Sequence, residues 1–109
     1  YEIGKAKETK KDFLDKYTVG FEQFSAYLNG HTDGVIKNAN WASRITGISK
    51  KTIFDLVRKI KNSKRTMISV SWSLTRQSHG EQPYWAAIAL ACIIGDLDSL
   101  SKKPEDYGC

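Results

Sequence analysis

Apolar residues recur at helical spacing over the first third of the chain, in two sets. The sets are Phe13, Leu14 and Tyr17, and then Phe21, Phe24, Tyr27 and Leu28. This spacing predicts a helical region over residues 10–29, with a break at Thr18-Val19-Gly20 between the two sets. Asn29-Gly30 is a helix stop signal. A loop follows it, with a turn signal at Asp33-Gly34.

Two further helices are predicted in the middle of the chain. The first covers residues 40–46 and ends at Gly47. Ser49 is the predicted cap of a longer helix that reaches about Asn62. The residues expected on the inner sides of these two helices are apolar: Trp41, Ala42 and Ile45, and then Ile53, Phe54, Leu56, Val57 and Ile60.

A strand and a buried helix are predicted in the last third of the chain. Residues 66–72 favour a β-strand, because β-branched and apolar side chains predominate there. A polar loop follows, and Pro83 suits the first turn of a helix that runs to Ile94. That helix, over residues 83–94, is apolar on nearly every side and is expected to be buried between layers. The predicted fold class is therefore an α/β fragment: helix-rich, with one strand, and part of a larger α/β layer.

Composition is that of a single globular domain. The chain has 109 residues, of which 40% are hydrophobic and 27% charged. The formal net charge of +5 favours a polyanionic partner such as a nucleic acid or a phosphate-bearing cofactor. The apolar run at residues 85–94 is shorter than the roughly 20 residues that cross a bilayer. No targeting signal is visible at Tyr1, and Cys92 and Cys109 do not form a disulfide framework.

The loop after the predicted strand has the side chains for a nucleotide-like ligand. A strand that ends in a polar loop and opens a helix is typical of nucleotide sites, where the helix start presents N–H groups to an anion. Arg76 offers a planar fork for phosphate oxygens. Trp72 offers a flat face for a fused ring. Several neighbours can form hydrogen bonds to polar edges: Ser73, Thr75, Gln77, His79 and Gln82.

Each of these side chains also has a purely structural interpretation. Trp72 at a strand end suits the core, Arg76 could pair with Glu81, Ser78 could cap the helix, and His79 could be an ordinary loop residue. No arrangement of cysteines and histidines has the spacing of a metal site, and no nucleophile elbow or phosphate-binding glycine loop is present.

Five motifs share the order and spacing of a known enzyme family. They are Phe13-Leu-Asp-Lys-Tyr-Thr-Val-Gly-Phe21, Asp33-Gly34 with Lys37, Trp41-Ala42 with Thr46-Gly47-Ile48, Trp72-Ser-Leu-Thr-Arg76, and His79-Gly-Glu-Gln-Pro-Tyr-Trp85. Together they resemble the bis-molybdopterin-guanine-dinucleotide oxidoreductases, in the branch of dimethyl sulfoxide, trimethylamine N-oxide and biotin sulfoxide reductases. The last two motifs are the most specific to this branch.

The resemblance implies a cofactor-contacting role for the loop. In this family the loop lies against one of the two pterin-guanine dinucleotides of the molybdenum cofactor. The implied contacts are Trp72 and Arg76, with Ser73, His79 and Gln82 as further ones. The reduced metal removes oxygen from an S–O or N–O bond of a small substrate. The serine that ligates molybdenum lies upstream of this region in the family, and the chain has no counterpart of it.

The chain is therefore predicted to be an internal segment of such a reductase, with the remainder of the enzyme as its partner. It is expected to hold no catalytic residue and to be inactive alone, and its binding of the cofactor alone is left open. Residues 1–10 are a poorly matched edge, residues 11–95 the family segment, and residues 96–109 a loose tail outside the family pattern. Such a segment is expected to be poorly soluble or to oligomerise.

A nucleic-acid-binding domain is the alternative. Residues 41–60 look like a helix-turn-helix with a small residue, a turn glycine and a buried aliphatic residue. The step from Ala42 to Gly47 is one residue longer than in the usual pattern, which argues against this interpretation. The basic net charge is its other support.

Overall fold

Helices and irregular segments make up the fold of the computed structural model, which describes residues 1–6 and 11–95. Within these residues there are six α-helices and one short 3₁₀ turn, Trp72–Thr75. The helices are α1 (Glu2–Ala6), α2 (Lys11–Tyr17), α3 (Phe21–Leu28), α4 (Ala39–Thr46), α5 (Lys50–Asn62) and α6 (Gln82–Ile94).

The predicted break between α2 and α3 is confirmed. The Thr18 hydroxyl donates a hydrogen bond to the Leu14 carbonyl at 2.6 Å, which closes the last turn of α2. Gly20 follows at φ 83°, a backbone conformation that glycine adopts without a steric penalty. The chain can therefore start a second helix in a new direction. The stop at Asn29-Gly30 is confirmed as well, since α3 ends at Leu28.

Side-chain caps start both α4 and α5; the cap at Ser49 was predicted, and the cap at Asn38 was not. The Asn38 side chain accepts the Trp41 N–H at 3.0 Å, and the Ser49 hydroxyl accepts the Thr52 N–H at 3.2 Å. Both contacts satisfy N–H groups that have no partner inside the helix. Gly47 ends α4 in the left-handed region, at φ 74°.

The core lies where α1 meets α5 and α6, and where α4 meets α5. The buried apolar side chains of these helices are Ala39, Ile60, Ile93 and Ile94, and Leu14 is buried in α2. The Glu2 carboxylate accepts the Ala39 N–H at 2.8 Å, so an acidic side chain lies at the positive end of α4. Helix α1 was not predicted, yet it joins the start of the chain to three other helices.

The predicted strand at residues 66–72 is wrong, and so is the α/β fold class. Residues 63–71 have no regular secondary structure, and the described part of the chain contains no strand or sheet. A strand exists only when a neighbour shares its hydrogen bonds, and β-propensity does not provide that neighbour. Met67, counted toward the strand, is 89% exposed.

Helix α6 begins one residue before its predicted start and ends at its predicted end, but it does not have its predicted burial. Pro83 lies in its first turn and Gly95 ends it at φ 80°, as expected. Ile93 and Ile94 are buried, whereas Trp85 and Ile88 are 63% and 59% exposed. The expectation of a helix enclosed on all sides is therefore wrong for its first half, because no described element covers that face.

Other expectations about the inner faces are only partly correct. Trp41 and Ala42 are half-buried, but Ile45 is exposed. On α5, Ile60 is buried, while Phe54 and Leu56 are exposed. The predicted loose tail at residues 96–109 lies outside the described residues. In the described part of the chain, no helix has the length and apolar character needed to cross a membrane.

Candidate functional site

The loop from Trp72 to Gln82 is shaped by hydrogen bonds to its own backbone. The Ser71 hydroxyl accepts the Ser73 N–H at 3.4 Å at the start of the 3₁₀ turn. The Thr75 hydroxyl donates to the Trp72 carbonyl at 2.8 Å. These contacts form a tight helical turn. The sequence analysis had predicted the end of a strand at this position.

A close approach of two backbone segments fixes the second half of the loop. Gly80 is buried, and a Cβ atom there would lie 2.5 Å from the Thr75 carbonyl oxygen. Only glycine allows the two segments to come this near. His79 precedes it in the left-handed region, at φ 56°, which is uncommon for a residue with a side chain. The loop is therefore folded back on the 3₁₀ turn.

Tyr84 ties helix α6 to the segment before the loop, a role that the sequence analysis missed. Its hydroxyl donates to the Ser71 carbonyl at 2.8 Å, across 13 positions of the chain. A half-buried tyrosine usually finds a hydrogen-bond partner for its hydroxyl. That preference could have indicated that the Tyr84 hydroxyl makes a hydrogen bond, but it does not identify the acceptor.

Trp72 and Arg76 form the one pair of predicted site residues that the structure joins by a side-chain contact within the described residues. The Arg76 guanidinium lies over the Trp72 ring, 5.2 Å from its centroid. Trp72 is 76% exposed, so its interpretation as a core residue is wrong. Arg76 does not pair with Glu81, whose carboxylate instead lies 3.9 Å from Nδ1 of His79. The guanidinium is therefore exposed and held by a cation–π contact.

The other predicted site residues are exposed but are not brought together. The Ser73 hydroxyl lies 2.9 Å from the Ser71 hydroxyl, at the base of the turn. His79 faces Glu81, and Gln82 is the first residue of α6. Their surfaces are accessible to a ligand, although each would contact it from a different part of the loop.

The start of α6 does not offer the free N–H groups expected of it. The Gln82 N–H donates to the His79 carbonyl, and those of Tyr84 and Trp85 donate to the Glu81 carbonyl. Pro83 has no N–H. Ser78 does not cap the helix, since Glu81 occupies that position without a side-chain hydrogen bond. An anion at this loop would therefore depend on the Arg76 side chain rather than on the helix start.

A buried lysine organises the loop between α3 and α4. Lys37 is 7% exposed, and its ammonium donates to the Asp33 carboxylate and to the Val35 carbonyl. The same ammonium lies 4.1 Å from the centroid of the Tyr27 ring and 5.9 Å from that of Trp41. A buried charge needs such partners to offset its desolvation.

The contact with Lys37 also changes the acidity of Asp33. The hydrogen bond from the Lys37 ammonium, and a second one from the Val35 N–H, lower the pKa of the Asp33 carboxyl below its ordinary value of 3.8. Asp33 therefore stays ionised, and paired with Lys37, to a lower pH than an ordinary aspartate would. Lys37 and Asp33, which appear in one of the resemblance motifs, hold this loop together.

No metal centre is formed by the described side chains. Over residues 1–6 and 11–95, no three His, Cys, Asp or Glu residues lie close enough together to hold an ion.

Comparison with known proteins confirms the resemblance. The chain is 46% identical to the biotin sulfoxide reductase of Cereibacter sphaeroides over 96 residues, which are 88% of the chain and 13% of that protein. It is also 46% identical to the dimethyl sulfoxide/trimethylamine N-oxide reductase of Rhodobacter capsulatus over 87 residues, 80% of the chain and 10% of the relative. The trimethylamine-N-oxide reductase of Haemophilus influenzae gives the same values. No family model matches the chain.

The chain is thus homologous to a segment of the S-oxide and N-oxide reductases. It spans about a tenth of the length of these relatives. The nucleic-acid-binding alternative is not favoured, because the proteins to which the chain is similar are reductases.

Proposed function

We propose that the chain is a segment of a molybdenum-dependent S- or N-oxide reductase, in which the loop from Trp72 to Gln82 contacts one pterin-guanine dinucleotide. The observation that carries this proposal is the exposed Trp72–Arg76 pair, which lies within a motif specific to the resembled branch. The names of the homologous proteins support the parent activity.

The two side chains of the pair suit different parts of the dinucleotide. A guanidinium binds two phosphate oxygens at once, and Arg76 has no carboxylate in the described part of the chain that competes for it. The Trp72 indole offers a flat face and an N–H donor to a heterocycle. Stacking of Arg76 on Trp72 limits the freedom of both side chains before the ligand arrives, so less entropy is lost on binding.

Ser73, His79 and Gln82 are proposed as supporting contacts. Each side chain is exposed and can donate or accept a hydrogen bond. Their separate positions along the loop suit a long ligand better than a compact one. The conformation that presents them depends on the approach of Gly80 to Thr75 and on the bond from Tyr84 to Ser71.

When bound in the parent enzyme, the molybdenum cofactor would supply the oxygen-atom transfer chemistry and pass on electrons. The segment itself would position the dinucleotide and offset its phosphate charge. The substrate would be a small S-oxide or N-oxide, and the remainder of the reductase would be the partner of this segment. The segment alone is proposed to be inactive.

A chimeric reductase tests the cofactor contact. In it, the matching residues of the Rhodobacter capsulatus reductase are replaced by those of this chain. We expect Arg76→Ala to weaken retention of the cofactor by on the order of tenfold or more, because a charged hydrogen-bond donor is lost. Molybdenum content and guanine nucleotide released by acid hydrolysis measure the occupancy.

Arg58→Ala is the matched control for this experiment. Arg58 is an exposed arginine on α5 that pairs with Asp55, outside the loop. Its replacement should leave cofactor content unchanged. Normal occupancy in the Arg76→Ala chimera, with intact folding by circular dichroism, would exclude the proposed role of Arg76.

A further inference from the structure

An apolar groove of about 350 Å³ lies between α6 and the α2–α3 pair. Trp85, Ile88 and Cys92 line it from α6, and Tyr17 and Phe24 line it from the other side. Tyr17, Trp85 and Ile88 are 59%, 63% and 59% exposed, respectively. Bulky apolar side chains gathered on one surface in this way mark an interaction site.

The chemistry of the groove favours an apolar occupant. A binding site for a small polar molecule needs a few well-placed polar groups. The groove wall contains two hydroxyls, and that of Thr18 already donates to the Leu14 carbonyl at 2.6 Å, while that of Tyr17 lies at the end of a ring that is itself mostly apolar. The rest of the wall consists mainly of aromatic and aliphatic side chains. Burial of this surface is the main free-energy gain that an occupant could provide.

The composition of helix α6 indicates what kind of occupant covers the groove. Its sequence from Gln82 to Ile94 contains no charged residue, and a helix that is apolar on all sides lies in a protein interior. The chain spans 10–13% of the length of its relatives, so most of such a reductase lies outside it. We infer that the groove is closed by an apolar segment of the same reductase polypeptide, outside residues 1–109. This inference rests on the proposed function.

Cys92 allows closure of the groove to be measured by thiol labelling, because this residue lines the groove wall and is only half-buried in the chain. The experiment compares maleimide labelling of Cys92 in the 109-residue chain and in the native chimera, with peptide mass spectrometry to assign the label. We expect labelling to be slower in the chimera by on the order of tenfold or more. Equal rates after denaturation are the control for reagent access.

Other occupants predict different results and would overturn the inference. If a second copy fills the groove, Cys92 in the 109-residue chain is protected only at concentrations where sedimentation velocity detects a dimer. If the tail fills it, deletion of residues 96–109 accelerates labelling in the monomeric chain. If the groove stays open, Cys92 reacts equally fast in the native chimera and the isolated chain.

The labelling result is separable from the proposed function. Fast labelling in a chimera with full cofactor content would overturn the groove inference alone. Slow labelling combined with normal cofactor content in Arg76→Ala would instead overturn the role of Arg76. Should the chimera fail to fold, hydroxyl-radical oxidation of the matching helix in the unmodified Rhodobacter capsulatus reductase gives the same information: protection supports closure, and oxidation contradicts it.

Discussion

Lys37 is the buried charged residue in the described part of the chain. Its charge is almost fully removed from water, and an acidic side chain, a backbone carbonyl and two aromatic rings take the place of solvent. Such a charge stabilises the fold only while its partners are all present. The loop between α3 and α4 therefore depends on one ammonium group.

Replacement of Lys37 tests that dependence. We expect Lys37→Met to lower the free energy of unfolding by roughly 1–3 kcal/mol, because the hydrogen bonds and the cation–π contacts of a charged group are lost. Urea denaturation followed by circular dichroism measures the change. Lys51→Met is the control: Lys51 pairs with Asp55 at an exposed site and should contribute under about 1 kcal/mol.

The loss caused by Lys37→Met should depend on pH in a defined direction. The pKa of Asp33 is lowered in the folded protein, so its ion pair adds stability above about pH 4 and loses that contribution as the carboxyl is protonated at lower pH. The difference between the wild type and Lys37→Met should therefore shrink as the pH falls below 3.8. A difference that is constant with pH would show that the ion pair contributes nothing.

At the scale of single residues, the sequence shows which functional groups are present, but it did not predict which side chains contact each other or which are covered. The sequence analysis proposed Trp72 and Arg76 as cofactor contacts but did not predict that the two side chains contact each other, since their stacking depends on the turn between them. Ile45 was placed inside by its spacing and is exposed. Helical spacing indicates which residues share a face, and packing partners decide whether that face is covered.

At the scale of elements, signals within a few residues of each other were reliable. The cap at Ser49 and the stops at Gly47 and Gly95 depend on local hydrogen bonds and on backbone conformation. The strand at residues 66–72 failed because strand pairing is not local. The bond from Tyr84 to Ser71 was missed for the same reason.

Two glycines offer a matched test of how the loop is built. Neither Gly80 nor Gly4 has a positive φ, but a Cβ at Gly80 would overlap the Thr75 backbone, while one at Gly4 meets nothing within 4 Å. We expect Gly80→Ala to lower the free energy of unfolding by about 1–3 kcal/mol. Gly4→Ala in α1 should be neutral or stabilise by up to about 1 kcal/mol. Equal effects in urea denaturation would contradict the close approach at Gly80.

At the scale of the whole molecule, much apolar surface is left uncovered by the described residues. Besides the groove, Phe54 and Leu56, on the two edges of the predicted apolar face of α5, are 50% and 57% exposed. Residue spacing predicted this apolar face, but no described helix covers these two side chains. In the proposed parent reductase, such a surface would be interior and buried by the remainder of the polypeptide.

This surface predicts the behaviour of the isolated chain. We expect the wild type to self-associate at micromolar concentrations, and the double variant Phe54→Lys, Leu56→Lys to do so less, because charged side chains oppose burial of this face. Sedimentation velocity measures the association, and circular dichroism should find the helix content unchanged. Leu14→Ala is the contrasting variant: it removes a side chain that is 1% exposed, so it should unfold the chain rather than make it more soluble. Association that is unchanged by the double lysine variant would mean that α5 is not the interface.

The enclosure of Lys37 has a consequence for chemical probing of the protein. The Lys37 side chain is 4% exposed, and its ammonium donates to the Asp33 carboxylate and the Val35 carbonyl, so an acylating reagent cannot reach it. The Lys51 side chain is 86% exposed and available to the reagent. Amine-directed acetylation should therefore modify Lys51 at once and Lys37 only when the loop between α3 and α4 opens. The ratio of Lys37 acetylation to Lys51 acetylation therefore measures how often the loop between α3 and α4 opens, and it can be determined in a complete reductase as well as in the isolated chain.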